Sequence, residues 1–398
     1  MLLTNSCFAV ILGCSLLFSK TCEYLIIHPE SWADAVESYS DFKNEHNIIT
    51  EIKSVEYILQ KSTGADDPEK IKNFIDDYYF NRSLKYVLLV GDVSKIPTRI
   101  DTNGGSNWYN RDHENNPYAT DFYFFNPVKD TLFVDYSGKE RSCDNCNNDR
   151  RDIIGGRLPV DLSAQVEKVL NTWMNYSADE NEPFDIVFMA PESEVDIKSK
   201  SNSEKWLDSS WRKLPDAHIK TFYADEVVTK ENIFNSIEQG ALFMNYMGHG
   251  NYWRWTKPDF AWEDAKLINN KDNPTFLVTQ SCRVGDILEF DCLAERLFEA
   301  EKGAMLGIIA ASNSPMNYDF TDELFQSEWN QRYNKYETNF WGMCSDQYQN
   351  HGEIFPCSLF CNLGSWFQNF NYFGDPTLVI FRNNTPVAIY NGNDDVLT

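Results

Sequence analysis

Positive charge and histidine are both scarce in this chain. It has 35 lysines and arginines against 60 aspartates and glutamates, a formal net charge of −25 over 398 residues. Such a surface repels a phosphate backbone, which excludes nucleic acid as an expected partner. Six histidines are present, few enough that each can be traced individually. After residue 18 there is no uncharged apolar run long enough for a membrane helix, so no span is expected in the mature chain. Internal repeats and low-complexity tracts are also missing, and neither a solenoid nor a fibrous array is expected. Disorder is excluded from the other side: 27 Phe, 20 Tyr and 11 Trp are far more aromatic surface than an unfolded chain carries.

What is there begins with "CFAVILGCSLLF" (7–18), an apolar run followed by the small and polar "SKTC". It has the length of an export signal rather than of a span, so residues 1–21 read as a signal peptide and the mature chain as secreted and extracellular. Of ten cysteines, Cys7 and Cys14 leave with that signal. Cys143, Cys146, Cys344, Cys357 and Cys361 sit in polar surroundings and can pair as disulfides in an oxidising compartment. A zinc site from Cys143-x2-Cys146 and Cys357-x3-Cys361 is the alternative. More than two hundred residues separate these pairs and no histidine lies at ligand spacing in either, so disulfides are favoured and no metal is assigned. Three glycosylation sequons, at Asn81, Asn175 and Asn383, fit an exported chain.

Short apolar runs recur at 24–28, 86–92, 185–190, 241–247, 275–280, 303–311 and 376–381. Their hydrophobicity is nearly continuous, as in strands buried on both faces of a parallel sheet. Helical spacing separates them. Residues 68–80 start on a proline and place Ile71, Phe74, Ile75 and Tyr78 on one face; 163–176 do the same with Val166, Val169, Leu170 and Trp173; 229–240 begin at a cap-like threonine and end on Gly240. Strand and helix in alternation predict an α/β fold. The polar stretch 175–185 divides it into an N-terminal α/β subdomain, 22–180, and a second subdomain, 181–385, with a tail at 386–398. Residues 103–152, rich in Gly, Asn, Asp and Tyr, read as a loop-rich insertion.

Two consecutive strands end in reactive residues. "ALFMNYMGHG" ends in Gly248-His249-Gly250, and "TFLVTQSC" ends in Ser281-Cys282. The separation, 282 − 249 = 33 residues, is about one strand–helix–strand unit. Ligands of open α/β sheets bind beyond the carboxyl ends of the strands, so both groups fall where chemistry is expected. A thiol becomes a nucleophile when an imidazole takes its proton. Glycines on either side of His249 are expected to let a substrate backbone approach. The Gly250 and Cys282 amides are candidate oxyanion donors, and Trp253 and Trp255 candidate pocket walls. Separately, Cys282 reads as a buried structural cysteine and His249 as a hydrogen-bonded loop histidine; at matched positions on adjacent strands, the chemical reading prevails. No other histidine closes a strand between glycines, and Cys292 reads as a helix residue packed in the core.

These motifs carry a resemblance. Gly-His-Gly after one strand and Ser-Cys after the next resemble the cysteine-peptidase clan of caspases, legumain, clostripain and gingipains. "YVLLVGDVSKIP" (86–97), "DIIGGRLPV" (152–160), "NYMGHG", "SCRVGDIL", "CLAERLFEAEKGAMLGIIAAS" (292–312) and "FGDPTLVI" (373–380) are similar to the gingipain catalytic domain, in the same order. The resemblance implies a caspase-like parallel-sheet sandwich in two side-by-side subdomains, with Cys282 as nucleophile and His249 as general base and acid. It implies a histidine-orienting acid at Asp152, just before the Gly-Arg segment. The carboxylate that selects arginine in that family falls near Ser163 here, with Asp161 beside it, and its pocket tryptophan has no counterpart in 311–320. Some members bind calcium, but no loop in 103–152 matches a calcium motif.

The expected function is a secreted cysteine endopeptidase acting on polypeptides, with basic P1 residues as the family expectation. No cofactor is required for that chemistry. Two alternatives use the same scaffold: a non-catalytic peptide-binding or adhesion protein, and a peptide ligase built on the same dyad. Oligomeric state is not readable from the sequence.

Overall fold

A computed structural model describes residues 21–101, 118–125, 153–177, 183–191, 199–209, 212, 216–223, 228–288, 291–313, 353–354, 370–378 and 380–382. Residues 1–20 of the expected signal at 1–21, the tail at 386–398, most of the 103–152 insertion and the cysteines at 143, 146, 344, 357 and 361 lie outside them.

Ten strands form one sheet: β1 Tyr24–His28, β2 Thr50–Ser54, β3 Tyr86–Val90, β4 Ile154–Leu158, β5 Phe184–Ala190, β6 Ala217–Tyr223, β7 Ala241–Met247, β8 Thr275–Gln280, β9 Met305–Ala311 and β10 Phe370–Gly374. Their order across the sheet is β2-β1-β3-β4-β10-β9-β8-β7-β5-β6. The N-terminal strands β1 to β4 pair in parallel with one another, and so do β5 to β9. β10 joins the two groups, running antiparallel to β9 and meeting β4 through Phe373 and Arg157.

Among the described residues, eight helices accompany the strands: α1 Ala33–Glu45, α2 Val55–Lys61, α3 Asp67–Arg82, α4 Ser163–Asn175, α5 Ser199–Ser209, α6 Lys230–Glu238, α7 Trp262–Ala265 and α8 Leu293–Glu299. Local chemistry sets their limits. Asp66 accepts from the Glu69 amide at the head of α3, Pro68 occupies its first turn, and Ser83 closes it in the left-handed region at φ 64°. Thr229 and Asn232 cap each other at the head of α6. Val166, Val169, Leu170 and Trp173 form the buried face of α4, and Trp173 Nε1 donates to the Met305 carbonyl at 3.0 Å, fixing that helix to β9. Among the described residues, no helix is long and apolar enough to cross a membrane.

The last strand of the large sheet departs from the sequence expectation. The apolar run 376–381 is the candidate, but the sheet strand is Phe370–Gly374, and Asp375–Thr377 turn away from the sheet. Of the run's described residues only Phe381 is in a strand, the two-residue Phe381–Arg382 that pairs with Glu353–Ile354. Pro376 cannot donate to a ladder, and Asp375 is held elsewhere. Its buried carboxylate accepts from Tyr24 (2.7 Å), Tyr39, the Lys43 ammonium (2.6 Å) and the Thr377 amide (2.9 Å). Burial pushes that carboxyl up, but Lys43, Tyr39 and Thr377 outweigh it and hold it below the usual carboxylate range. Because α1 and β1 supply these partners, the network pins the start of the chain to its end.

Candidate active site

The register of the sheet brings the two reactive groups together. Met247 of β7 pairs with Gln280 of β8 in a parallel ladder. Each chain runs two residues beyond that pair to its reactive group, to His249 on one strand and Cys282 on the next. Both side chains are half-buried. The other described thiols are not: Cys22 and Cys292 are buried, and burial pushes Cys22 up to about 12 and Cys292 well above its ordinary value. Neither suits a nucleophile. Of the other described histidines, His28 is buried against the Pro29 carbonyl, and His46 and His218 are exposed.

Hydrogen bonds fix the backbone at His249. Its carbonyl accepts from both the Thr256 amide (3.0 Å) and the Thr256 hydroxyl (3.1 Å). Gly250–Asn251, Arg254–Trp255 and Phe260–Ala261 form a small three-stranded antiparallel sheet, with Gly250 opposite Trp255. Bonded and non-bonded pairs alternate in such a ladder. Because the Thr256 amide bonds His249, the next pair along is non-bonded, and the Gly250 N–H points away from its hairpin partner. That direction suits an oxyanion donor.

The two glycines around His249 serve the interior rather than the substrate. A Cβ on Gly250 would lie 2.1 Å from Ser281 Oγ and 2.8 Å from the Arg254 carbonyl. One on Gly248 would lie 2.7 Å from the Tyr246 hydroxyl and 3.2 Å from Pro191 Cγ. At Gly250 the end of β8 uses that space, and at Gly248 Tyr246 and Pro191, just past β5, use it, which corrects the expectation that it was left for substrate. Ser281 is likewise fully buried against Gly250, not open to a ligand. Trp255 is also corrected: it is buried, stacked on Tyr246 at 4.1 Å, and its Nε1 donates to Thr279 Oγ1 at 3.0 Å. It braces β7 against β8 from below. Trp253 remains half-buried, with the Arg254 guanidinium over its ring at 4.3 Å and paired to Asp259.

The turn after Cys282 is held as firmly. Arg283 adopts φ 59°, a left-handed conformation uncommon for a side-chain-bearing residue. Its guanidinium bonds Asp286 Oδ2 at 2.6 and 2.8 Å, its amide donates to the Asn313 carbonyl, and Gly285 donates to Ala311. The head of α8 then ties both reactive loops together: consecutive amides of Leu293 and Ala294 donate to Tyr252 (2.7 Å) and Val284 (3.2 Å). Tyr252 lies three residues past His249 and Val284 two past Cys282. Sequence reasoning missed this brace, as it missed Thr256, Arg283 and Asp286; no residue type marks a free helix amide, and left-handed arginine has no sequence signature.

Asp161 sits at the end of β4 in an acidic group. Its carboxyl, with those of Asp291 and Glu299, has oxygens within 4.8 Å, and Arg296 bonds both Asp291 and Glu299 from among them. Burial and then Asp92 push the Asp161 carboxyl above its ordinary value. Close by, burial pushes Glu295 to about 8, with Asp92 and Glu299 adding to the effect. Hydrogen bonds link the end of β4 to the Cys282 loop. Arg157 bonds Asp121, the Asp121 amide donates to Asn371, and Asn371 donates to the Gly285 carbonyl. Ser163 opens α4 and is half-buried. Asp152 lies outside the described residues.

Comparison with known proteins agrees with this architecture. Gingipain R2 of Porphyromonas gingivalis is 24% identical over 386 residues, covering 89% of this chain and 45% of that protein. Gingipain R1 of the same species is 24% identical, over 89% of this chain and 34% of that protein. The chain thus spans less than half the length of each. The crystal structure of the Arg-specific cysteine proteinase gingipain R superposes with a TM-score of 0.62 at 20% identity, over 91% of this chain and 78% of that one. A complex of the pro- and mature domains of Porphyromonas gingivalis RgpB gives 0.61 at 20%, over 90% and 79%. At that identity the likeness shows the shared fold: mixed α/β, with a large, mostly parallel central sheet, as in the caspase-like gingipains. The model of peptidase family C25 matches residues 18–381, and the chain belongs to that family.

Proposed function

We propose that this protein is a secreted cysteine endopeptidase in which Cys282 attacks the scissile carbonyl and His249 carries the proton from the thiol to the leaving amine. The observation that supports the reading is the pairing of Met247 with Gln280, since His249 and Cys282 each follow that pair by two residues on adjacent strands. The Gly250 amide, turned away from its hairpin partner, and the Cys282 amide stabilise the oxyanion of the tetrahedral intermediate. A preformed donor pair needs no reorganisation as charge develops, and each donor is worth roughly a hundredfold or more in rate. Backbone bonds from Thr256 to His249, from Arg283 to Asn313 and from Leu293 to Tyr252 keep both loops in place while the acyl-enzyme forms and is hydrolysed.

Asp152 remains the proposed orienting acid for His249, on the resemblance alone. The apolar run within residues 1–21 supports the secreted part of this reading. Polypeptides are the substrates, and no cofactor enters the steps. Alkylation and turnover test the reading together: iodoacetamide should label Cys282 in the native protein and abolish peptide cleavage, whereas His249→Ala should leave the thiol slow to react. Native protein that neither cleaves peptides nor labels at Cys282 contradicts it.

A further inference from the structure

Two carboxamides lie on the face of the sheet that leads to the dyad. Asn245 pairs with Val278, and Met247 with Gln280, across the β7–β8 ladder. Side chains alternate with a period of two, so Asn245, Met247, Val278 and Gln280 share one face. One further step of two along each strand reaches His249 and Cys282. Gln280 Nε2 donates to Asn245 Oδ1 at 3.3 Å. Asn245 is fully buried and its Nδ2 has no hydrogen-bond partner among the described residues, while Gln280 is half-buried. On the far side, Asn245 pairs with Phe188 of β5, so the amides are flanked by apolar surface. A buried amide nitrogen with no acceptor is uncommon in a folded protein and calls for a specific explanation.

We propose that Gln280 and Asn245 floor the P1 pocket and select a P1 side chain that both donates and accepts hydrogen bonds, a carboxamide such as glutamine or asparagine. The inference rests on the cysteine-peptidase reading. Asn245 presents N–H donors and Gln280 presents both a donor and an acceptor, which a carboxamide complements group for group. A guanidinium or ammonium brings only donors, and its charge finds no carboxylate in this amide pair; leaving that charge desolvated is costly. At the place where arginine-selective relatives carry an acid, the resemblance puts Ser163. Discrimination by hydrogen bonding is strong, because a mismatched substrate leaves the pocket amides unpaired.

The test is the P1 profile of the full-length protein on peptides that differ only at P1: Gln, Asn, Arg, Lys, Leu and Asp. Wild type should favour the carboxamides by about tenfold or more in kcat/KM. Gln280→Leu should lower kcat/KM for them by about tenfold and raise it for leucine. Gln280→Glu should move the preference to arginine and lysine. Thermal melts establish that both variants are folded. Cys282-dependent cleavage that favours Arg or Lys in wild type, or a profile unchanged in both folded variants, overturns this inference and leaves the peptidase reading standing. Failure to cleave any peptide overturns both.

Discussion

The Ser281 hydroxyl fills the space that a side chain on Gly250 would need: a Cβ there would lie 2.1 Å from Ser281 Oγ. The residue before Cys282 and the residue after His249 are therefore in contact, and their separation sets how close the two loops come. Gly250→Ala should force the loops apart, at a stability cost of about 1–3 kcal/mol for overpacking and with loss of most activity. Ser281→Gly in the same chain should restore part of both, because it removes one of the two atoms in the way; the Arg254 carbonyl at 2.8 Å remains. Melting temperature and peptide turnover of wild type and the two variants check this, and a fully active Gly250→Ala would show that the spacing does not matter.

Asp375 anchors the end of the chain to its beginning through Tyr24, Tyr39 and Lys43. Asp375→Asn leaves a buried ammonium without its anion and should cost about 3–5 kcal/mol. The folded carboxyl is held below its ordinary value. Its contribution is therefore fully present above the unfolded pKa of about 4 and is lost as pH falls through the folded value. Denaturant titrations at pH 7 and pH 3 should show a large penalty for the variant at pH 7 and a smaller one at pH 3.

Glu295 has the opposite sign. Its folded carboxyl is raised to about 8, so the folded state binds the proton more tightly than the unfolded chain. Stability is highest below the unfolded pKa of about 4 and declines as pH rises toward the folded value. Asp161 and Glu299 are raised too and add to the same slope. Glu295→Gln keeps an acceptor for the Cys292 amide but cannot ionise. Its melting temperature should fall less steeply between pH 5 and pH 8 than that of wild type, both values being round figures inside the titration window. Equal slopes would mean that Glu295 does not carry the effect.

Trp255 should behave as a core residue. Trp255→Phe keeps an aromatic ring against Tyr246 but removes the bond to Thr279, leaving that buried hydroxyl without its donor at a cost of about 1–3 kcal/mol. The P1 profile should not change. A substrate preference altered without loss of stability would return Trp255 to the pocket.

Much of this arrangement was legible in the sequence. The strands ending at Met247 and Gln280 stand out because both faces are buried and the runs are continuous. The 33-residue spacing from His249 to Cys282 places them on neighbours. Less visible were the edge strands β2 and β6. "TEIKS" and "AHIKTFY" carry polar residues because these strands are half-exposed. The last strand of the large sheet lies before the apolar run 376–381, which reads as a sheet strand only if Asp375 is ignored, and Asp375 is committed to partners more than 300 residues away. The glycines stand out in the sequence, but the protein's own atoms occupy the space beside them. A sequence shows that a Cβ is absent, not whether a hydroxyl, a carbonyl or a substrate takes its place. The brace at α8 is made of main-chain amides, to which side-chain identity gives no direct clue.

The most direct test of the central claim compares cleavage of a mixed-P1 peptide library by purified wild type, Cys282→Ala and His249→Ala under reducing conditions, with melting temperatures measured in parallel. The account predicts Cys282-dependent cleavage, with both variants folded and slowed by at least about a thousandfold. Equal cleavage by wild type and Cys282→Ala, or none by any folded protein, would contradict it.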